Sequence, residues 1–116
     1  MCDWKNGLTR EEIQGTEQGM TKLRTMIDQF ESYGTPFEKI CNNDTIKYDV
    51  LGKGFYVFKH LYKGRTQLRI LYQFIRNEDQ TFELKVHRVY CKRKSNSATQ
   101  ALYLKQFKHY IDSILS

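Results

Sequence analysis

The sequence predicts an α+β fold: an antiparallel meander sheet of three to four strands, packed by helices from the two ends of the chain. Three observations predict it. A capping box near the N-terminus leads into apolar residues at helical spacing, period-two alternation runs from Thr45 to Tyr90, and a second helical stripe closes the chain. With 116 residues and 40% hydrophobic content, one domain spanning 1–116 is expected. It divides into a helical part at 1–36, a sheet at 45–91 and a C-terminal helix at 97–115. Helices on one face would leave the other face of the sheet open.

Thr9-Arg10-Glu11-Glu12 is the capping box, with Thr9 as N-cap and Glu12 reaching back. Met20, Leu23, Ile27 and Phe30 then mark one apolar stripe. Gly15 and Gly19 weaken the early turns and point to a kink. Gly34 followed by Pro36 ends the helix.

From Thr45 the period becomes two, with Ile46, Tyr48 and Val50 alternating against polar neighbours until Gly52 and Gly54 interrupt. Phe55 to Tyr62 is rich in aromatic and branched residues and reads as a strand, and Lys63-Gly64 as a turn. Arg65 to Arg76 is a long strand with Leu68, Ile70, Tyr72 and Phe74 on one face. The other face carries Arg65, Gln67, Arg69 and Gln73, interrupted by Leu71. A polar turn over 77–80 leads to the strand Thr81 to Tyr90, where Phe82, Leu84 and Val86 alternate with Glu83, Lys85 and His87. Tight turns between neighbouring strands make the sheet antiparallel. Ser97 and Gln100 form a second capping-box pattern, and Leu104, Phe107, Ile111 and Ile114 mark the stripe of the last helix.

The net charge of +6 is unevenly placed. Residues 1–52 carry 6 Lys/Arg against 9 Asp/Glu, a net −3, and residues 53–116 carry 13 against 4, a net +9. A field of that sign attracts polyanions, RNA or DNA first among them. The first twenty residues include Asp3, Lys5, Arg10, Glu11 and Glu12, so no signal peptide is expected. No apolar run approaches the roughly 18 residues of a membrane span. Cys2, Cys41 and Cys91 are odd in number and widely spaced, without a zinc pattern. They read as reduced thiols of a cytoplasmic protein that uses no metal or cofactor and has no membrane partner.

By strand parity Arg69 projects onto the expected open face, joined by Lys85 and His87 from the next strand and extended by Lys92-Arg93-Lys94. Guanidinium groups bind phosphate oxygens bidentately, and Tyr90 and Tyr103 are candidates for stacking on bases. Plainer readings stand beside these. Arg69 is also suited to pairing with Glu83 across the sheet, His87 to a structural role, His60 to facing the core, and Lys92-Arg93-Lys94 to a solvated loop.

Four local features resemble the RelE/ParE superfamily of bacterial toxins, and more narrowly its RelE-type and phage-derived HigB-like members. They are Tyr33-Gly34-Thr35-Pro36 at a helix end, Gly54-Phe55-Tyr56-Val57-Phe58-Lys59, Leu68-Arg69-Ile70-Leu71-Tyr72, and Val89-Tyr90-Cys91-Lys92-Arg93-Lys94-Ser95. The resemblance runs from Phe37 to the C-terminus. It departs from the family in three places. The family opens with a β-strand where Met1 to Gly7 is short and polar, Lys59 stands where the family has Arg, and counting from Arg93 to a catalytic tyrosine reaches Thr99 rather than Tyr103.

The resemblance implies a toxin that cleaves mRNA on the ribosome without a metal and is held in check by a small acidic antitoxin protein. The chemistry is attack of a ribose 2′-OH on the adjacent phosphate, which needs a base, positive charge at the phosphorane-like state and an acid for the leaving 5′ oxygen. Carried over, Arg69 and Arg93 would bind the scissile phosphate, and Lys59 and Lys92 would add charge or move protons. His87 or Tyr103 would be the acid or base, with Lys85, Lys94 and Arg65 as further RNA contacts. A lysine titrates near about 10.4 in isolation, so a lysine base works only beside cations that depress it. The family also contains ParE-like members, and a non-catalytic binding module built on the same basic sheet remains the alternative.

Overall fold

A computed structural model describes residues 4–40, 54–64, 66–92 and 97–115. The element order is α1 (Arg10–Ser32), α2 (Phe37–Ile40), β1 (Phe55–Tyr62), β2 (Thr66–Arg76), β3 (Phe82–Lys92) and α3 (Ser97–Leu115). The three strands form one antiparallel meander in the order β1-β2-β3. The α+β class, the meander and the two terminal helices are those the sequence leads to. The strand expected over Ile46 to Val50 lies outside the described residues.

The capping box forms as written. Thr9 Oγ1 accepts from the Glu12 amide at 3.1 Å, and Glu12 Oε1 accepts from the Thr9 amide at 2.9 Å. Both satisfy donors that the first helical turn leaves without partners. At the other end Gly34 takes φ +87°, and the Thr35 amide returns to Phe30 O at 2.9 Å, which closes the helix in the left-handed turn glycine permits. Glu31 then joins the helix end to the sheet. Its carboxylate accepts from the Phe37 amide and from both terminal nitrogens of Arg76 at the end of β2. The hydrogen bond from Arg76 is the main cause holding the Glu31 carboxyl below its ordinary value.

Between these ends α1 is one continuous helix of 23 residues, without the break expected at Gly15 and Gly19. Both glycines lie in its buried face. A Cβ on Gly15 would stand 2.9 Å from Leu68 Cδ1 and from Tyr62 Cγ, and one on Gly19 would stand 2.9 Å from His60 Cδ2. The glycines thus let the helix backbone lie directly on β1 and β2, and the buried stripe runs Glu12, Gly15, Thr16, Gly19, Leu23, Ile27. Phe30, expected on that stripe, is exposed. Leu23 and Ile27 pack with Phe58, Tyr62, Leu68, Ile70 and Tyr72. Phe37 of α2 stacks on Phe74 at 4.0 Å and meets Tyr56 edge-on at 4.9 Å, which plugs the end of this core.

The C-terminal helix does not join α1. Tyr103, Phe107 and Ile111 pack with Phe55, Val57 and Leu71. These strand residues alternate with Phe58, Ile70 and Tyr72, so they point to the opposite side of the sheet. Each face of the sheet therefore carries a helix, where the sequence reading left one face open. The physical reason is Leu71, which with Val57 makes the second face too apolar to leave in water. The stripe of α3 is also turned relative to expectation: Tyr103 is buried, while Ile114 is exposed.

Alanine in place of Gly19 tests the close approach of α1. It would add helix propensity of about 1 kcal/mol, yet overpack the helix against the His60 ring by more. Gly19→Ala is expected to lose about 1–2 kcal/mol in denaturant unfolding. A stabilised variant would mean that α1 stands farther from β1.

Candidate nucleic-acid interface

The β1–β2 register builds the site. Lys59 lies opposite Arg69, and two residues toward the hairpin turn Leu61 lies opposite Gln67. All four occupy the α3 side of the sheet by parity, as a block of two cross-strand pairs. The turn that fixes this register has Lys63 at φ 54° and Gly64 at φ 73°, both in the left-handed region. On its other side Arg69 pairs with Tyr90 of β3, so Lys59, Arg69 and Tyr90 form one row across the sheet.

Arg69 is only 9% exposed. Its guanidinium carbon lies 5.8 Å from the centre of the Tyr103 ring, which covers it from α3. Tyr103 in turn stacks on Tyr90 at 5.9 Å. Among the described residues the polar side-chain contacts of Arg69 are two long ones, Nη1 to Leu68 O and Nη2 to Gln67 Oε1, each 3.4 Å. Its Nε is buried with no hydrogen-bond partner. No carboxylate pairs with it among the described residues: Glu83 lies opposite Ile75, well along the sheet. Burying a cation without a counter-ion costs several kcal/mol in general, and the described residues offer Arg69 none. Beside it lies a groove of about 210 Å³ lined by Lys59, His60, Leu61, Gln67 and Arg69. The His60 ring belongs to the other face, where it stacks on Phe58 and bonds Gln18 Oε1 at 3.4 Å, and burial lowers its pKa with help from Lys22.

Farther along the same face, β3 carries an extra residue. Leu71 pairs with Arg88, but Tyr72 pairs with Val86, so His87 is the extra residue of a β-bulge. The bulge sends both His87 and Arg88 toward α3. His87 Nδ1 lies 2.9 Å from Tyr110 Oη, and Nε2 lies 3.2 Å from Gln73 Oε1. Since the Gln73 oxygen accepts, Nε2 carries the proton and Nδ1 accepts from the tyrosine hydroxyl. The Arg88 guanidinium covers the Tyr110 ring at 4.1 Å. Burial, then Lys85 and Arg88, push the His87 pKa down to about 4, so the imidazole is neutral at neutral pH.

Of the residues singled out in the sequence, Lys59 and Arg69 meet at the groove. Tyr103 is buried at 1% exposure above Arg69, and His87 lies at the bulge, held between Tyr110 and Gln73. Lys85 is exposed on the same face, opposite Gln73. Lys92 ends β3 opposite Gln67. Arg65, Arg93 and Lys94 lie outside the described residues. Two participants went unread. Gln67 was visible as the polar neighbour of Arg69 in the strand alternation, and Tyr110 sits one helical turn beyond Phe107, where its side of α3 could have been read. Comparison with family models, with curated proteins and with solved structures finds no match for this chain.

The depressed His87 pKa has a measurable consequence. Its folded value lies below the unfolded 6.5, so the unfolded chain takes up the proton first and stability falls as pH drops below about 6.5. Between pH 6.5 and 5 the loss amounts to about 1.5 kcal/mol, with His60 adding in the same direction. Thermal unfolding across that range is expected to show a shallower pH slope in His87→Gln than in wild type. Equal slopes would mean that His87 is not held neutral.

Proposed function

We propose that the protein is a RelE-type, toxin-like endoribonuclease that binds mRNA in the cytoplasm, on the ribosome, and cuts it without a metal. A small acidic antitoxin protein is its partner in this reading. The observation that carries it is Arg69: a buried guanidinium with an unpartnered Nε and no carboxylate among the described residues, set opposite Lys59 at a groove. A site so organised suits an external phosphate, whose oxygens supply the missing acceptors. The basic balance of residues 53–116 extends that suitability to a polyanion.

In the cleavage step the 2′-oxygen bonds to phosphorus as its proton leaves to a base, and the bond from phosphorus to the 5′ oxygen breaks as that oxygen gains a proton. The products are a 2′,3′-cyclic phosphate and a 5′-hydroxyl. Arg69 stabilises the charge that gathers on the phosphate oxygens, and Lys59 adds charge and moves a proton from across the strand pair.

A second reading, a non-catalytic RNA-binding module, has its own support. Tyr103 is buried, and both ring nitrogens of His87 have partners, so neither of these acid–base candidates lines the groove.

Arg69→Ala separates the two. If the protein cleaves RNA, the variant loses growth inhibition and cuts mRNA about 10²–10³-fold more slowly, since a lost oxyanion donor acts mainly on rate. Its RNA affinity changes by no more than about tenfold. Arg69→Lys recovers only part of the rate, because a point charge lacks the bidentate fork. The readouts are growth on induction, mapping of mRNA 5′ ends and binding to labelled RNA. Wild-type protein that binds RNA but neither inhibits growth nor cuts would establish the module, and a fully active Arg69→Ala would remove Arg69 from the site.

A further inference from the structure

The groove holds more than its two cations. Leu61 is 53% exposed, a large apolar side chain left in water at the hairpin end of β1. It stands directly opposite Gln67, just as Lys59 stands opposite Arg69. The floor of the groove is thus divided into a cationic pair and, one side-chain repeat along the strands, a pair made of an apolar surface and an amide. Successive residues on one face of a strand are about 7 Å apart, a step comparable to the reach from the phosphate of a nucleotide to its base. His60, between Lys59 and Leu61, points its ring to the other face and offers the groove only main chain.

We propose that Leu61 and Gln67 form a base-recognition subsite beside the Arg69 phosphate site, so that the groove takes one unpaired nucleotide. This rests on the RNA-binding reading above and names what that site recognises. The phosphate sits on Arg69 and Lys59, and the flat face of the base covers Leu61, removing that side chain from water. The amide of Gln67 meets the edge of the base. Its Oε1 is already steered by Arg69 Nη2 at 3.4 Å, a long contact that leaves the oxygen a second lone pair and the NH2 group to donate. An amide that offers one acceptor and one donor side by side matches adenine, which presents a donor at N6 and an acceptor at N7. A paired base cannot lay its face on Leu61, because its neighbours in the duplex already cover both sides, so the subsite selects single-stranded RNA.

Adenosine 5′-monophosphate and inorganic phosphate, each titrated into isotopically labelled protein at matched ionic strength, test this by amide chemical shifts. AMP is expected to bind about tenfold more tightly than phosphate, within what one amide–base pair confers. Its shifts should reach Leu61 and Gln67 as well as Lys59 and Arg69. Leu61→Ser, at an exposed position, should bring AMP toward the phosphate affinity and leave phosphate binding unchanged, and Gln67→Leu, which also removes a contact of Arg69, should shrink the ratio of the AMP to the phosphate affinity. Equal affinities for the two probes, or AMP shifts away from the groove, overturn the subsite. Binding to labelled single-stranded RNA judges the wider reading separately. RNA bound while AMP and phosphate behave alike leaves the RNA reading standing without the base subsite. AMP bound as expected, with no RNA binding, keeps the subsite as a free-nucleotide site and removes the RNA reading.

Discussion

The central strand β2 is buried on both faces, and the rest of the architecture answers to that. From Leu68 to Tyr72 five consecutive residues are buried, four of them apolar. Leu68, Ile70 and Tyr72 need cover on one side, and Leu71 needs it on the other. Helix α1 supplies the first cover and comes close enough through Gly15 and Gly19 to seal it. Helix α3 supplies the second with Tyr103, Phe107 and Ile111. The strand has one polar residue in this run, Arg69, and covering Leu71 brings α3 over Arg69 as well. The burial of that guanidinium is a consequence of how its neighbours must be packed.

This arrangement divides the α3 face into two parts with different chemistry. Around the bulge, polar groups satisfy one another: Gln73, His87 and Tyr110 form a chain of hydrogen bonds, and Arg88 lies on the tyrosine ring. That part docks α3 and keeps His87 neutral. Around the hairpin end, Arg69 is left short of partners among the described residues. Arg69 has two long contacts and a vacant Nε, and Leu61 has no cover from the described residues of α3. Native folds satisfy most of their buried donors, so the shortfall at Arg69, beside a groove, is where binding is best sought.

Much of this could be read from the chain. The capping box of α1, the three strands with their turns and the extent of α3 all carry local signals: an N-cap pair, an alternation of period two, residues suited to left-handed turns. The pairing of Lys59 with Arg69 also follows from counting out of the Lys63-Gly64 turn. What escaped was set by packing between distant segments. Leu71 was visible as an interruption of a polar face, but only the position of α3 gives it meaning. The bulge at His87 shifts the parity of β3 by one residue without any sign in the composition, and so turns Arg88 toward α3 and sets Tyr90 opposite Arg69, where an unshifted register would set Val89. The glycines of α1 read as helix breakers because propensity is local, whereas their role depends on Tyr62, Leu68 and His60 across the interface.

The proposed site requires that Arg69 be kept for a ligand and not for the fold. Thermal unfolding of wild type and Arg69→Met, in chloride and in phosphate buffers of equal ionic strength, addresses it most directly. A buried cation without a counter-ion burdens the folded state, and an apolar side chain of similar length relieves that burden. Arg69→Met is expected to be at least as stable as wild type in chloride, and phosphate to stabilise wild type but not the variant. A variant markedly less stable than wild type in chloride, together with a wild type indifferent to phosphate, would contradict it and make Arg69 a structural residue.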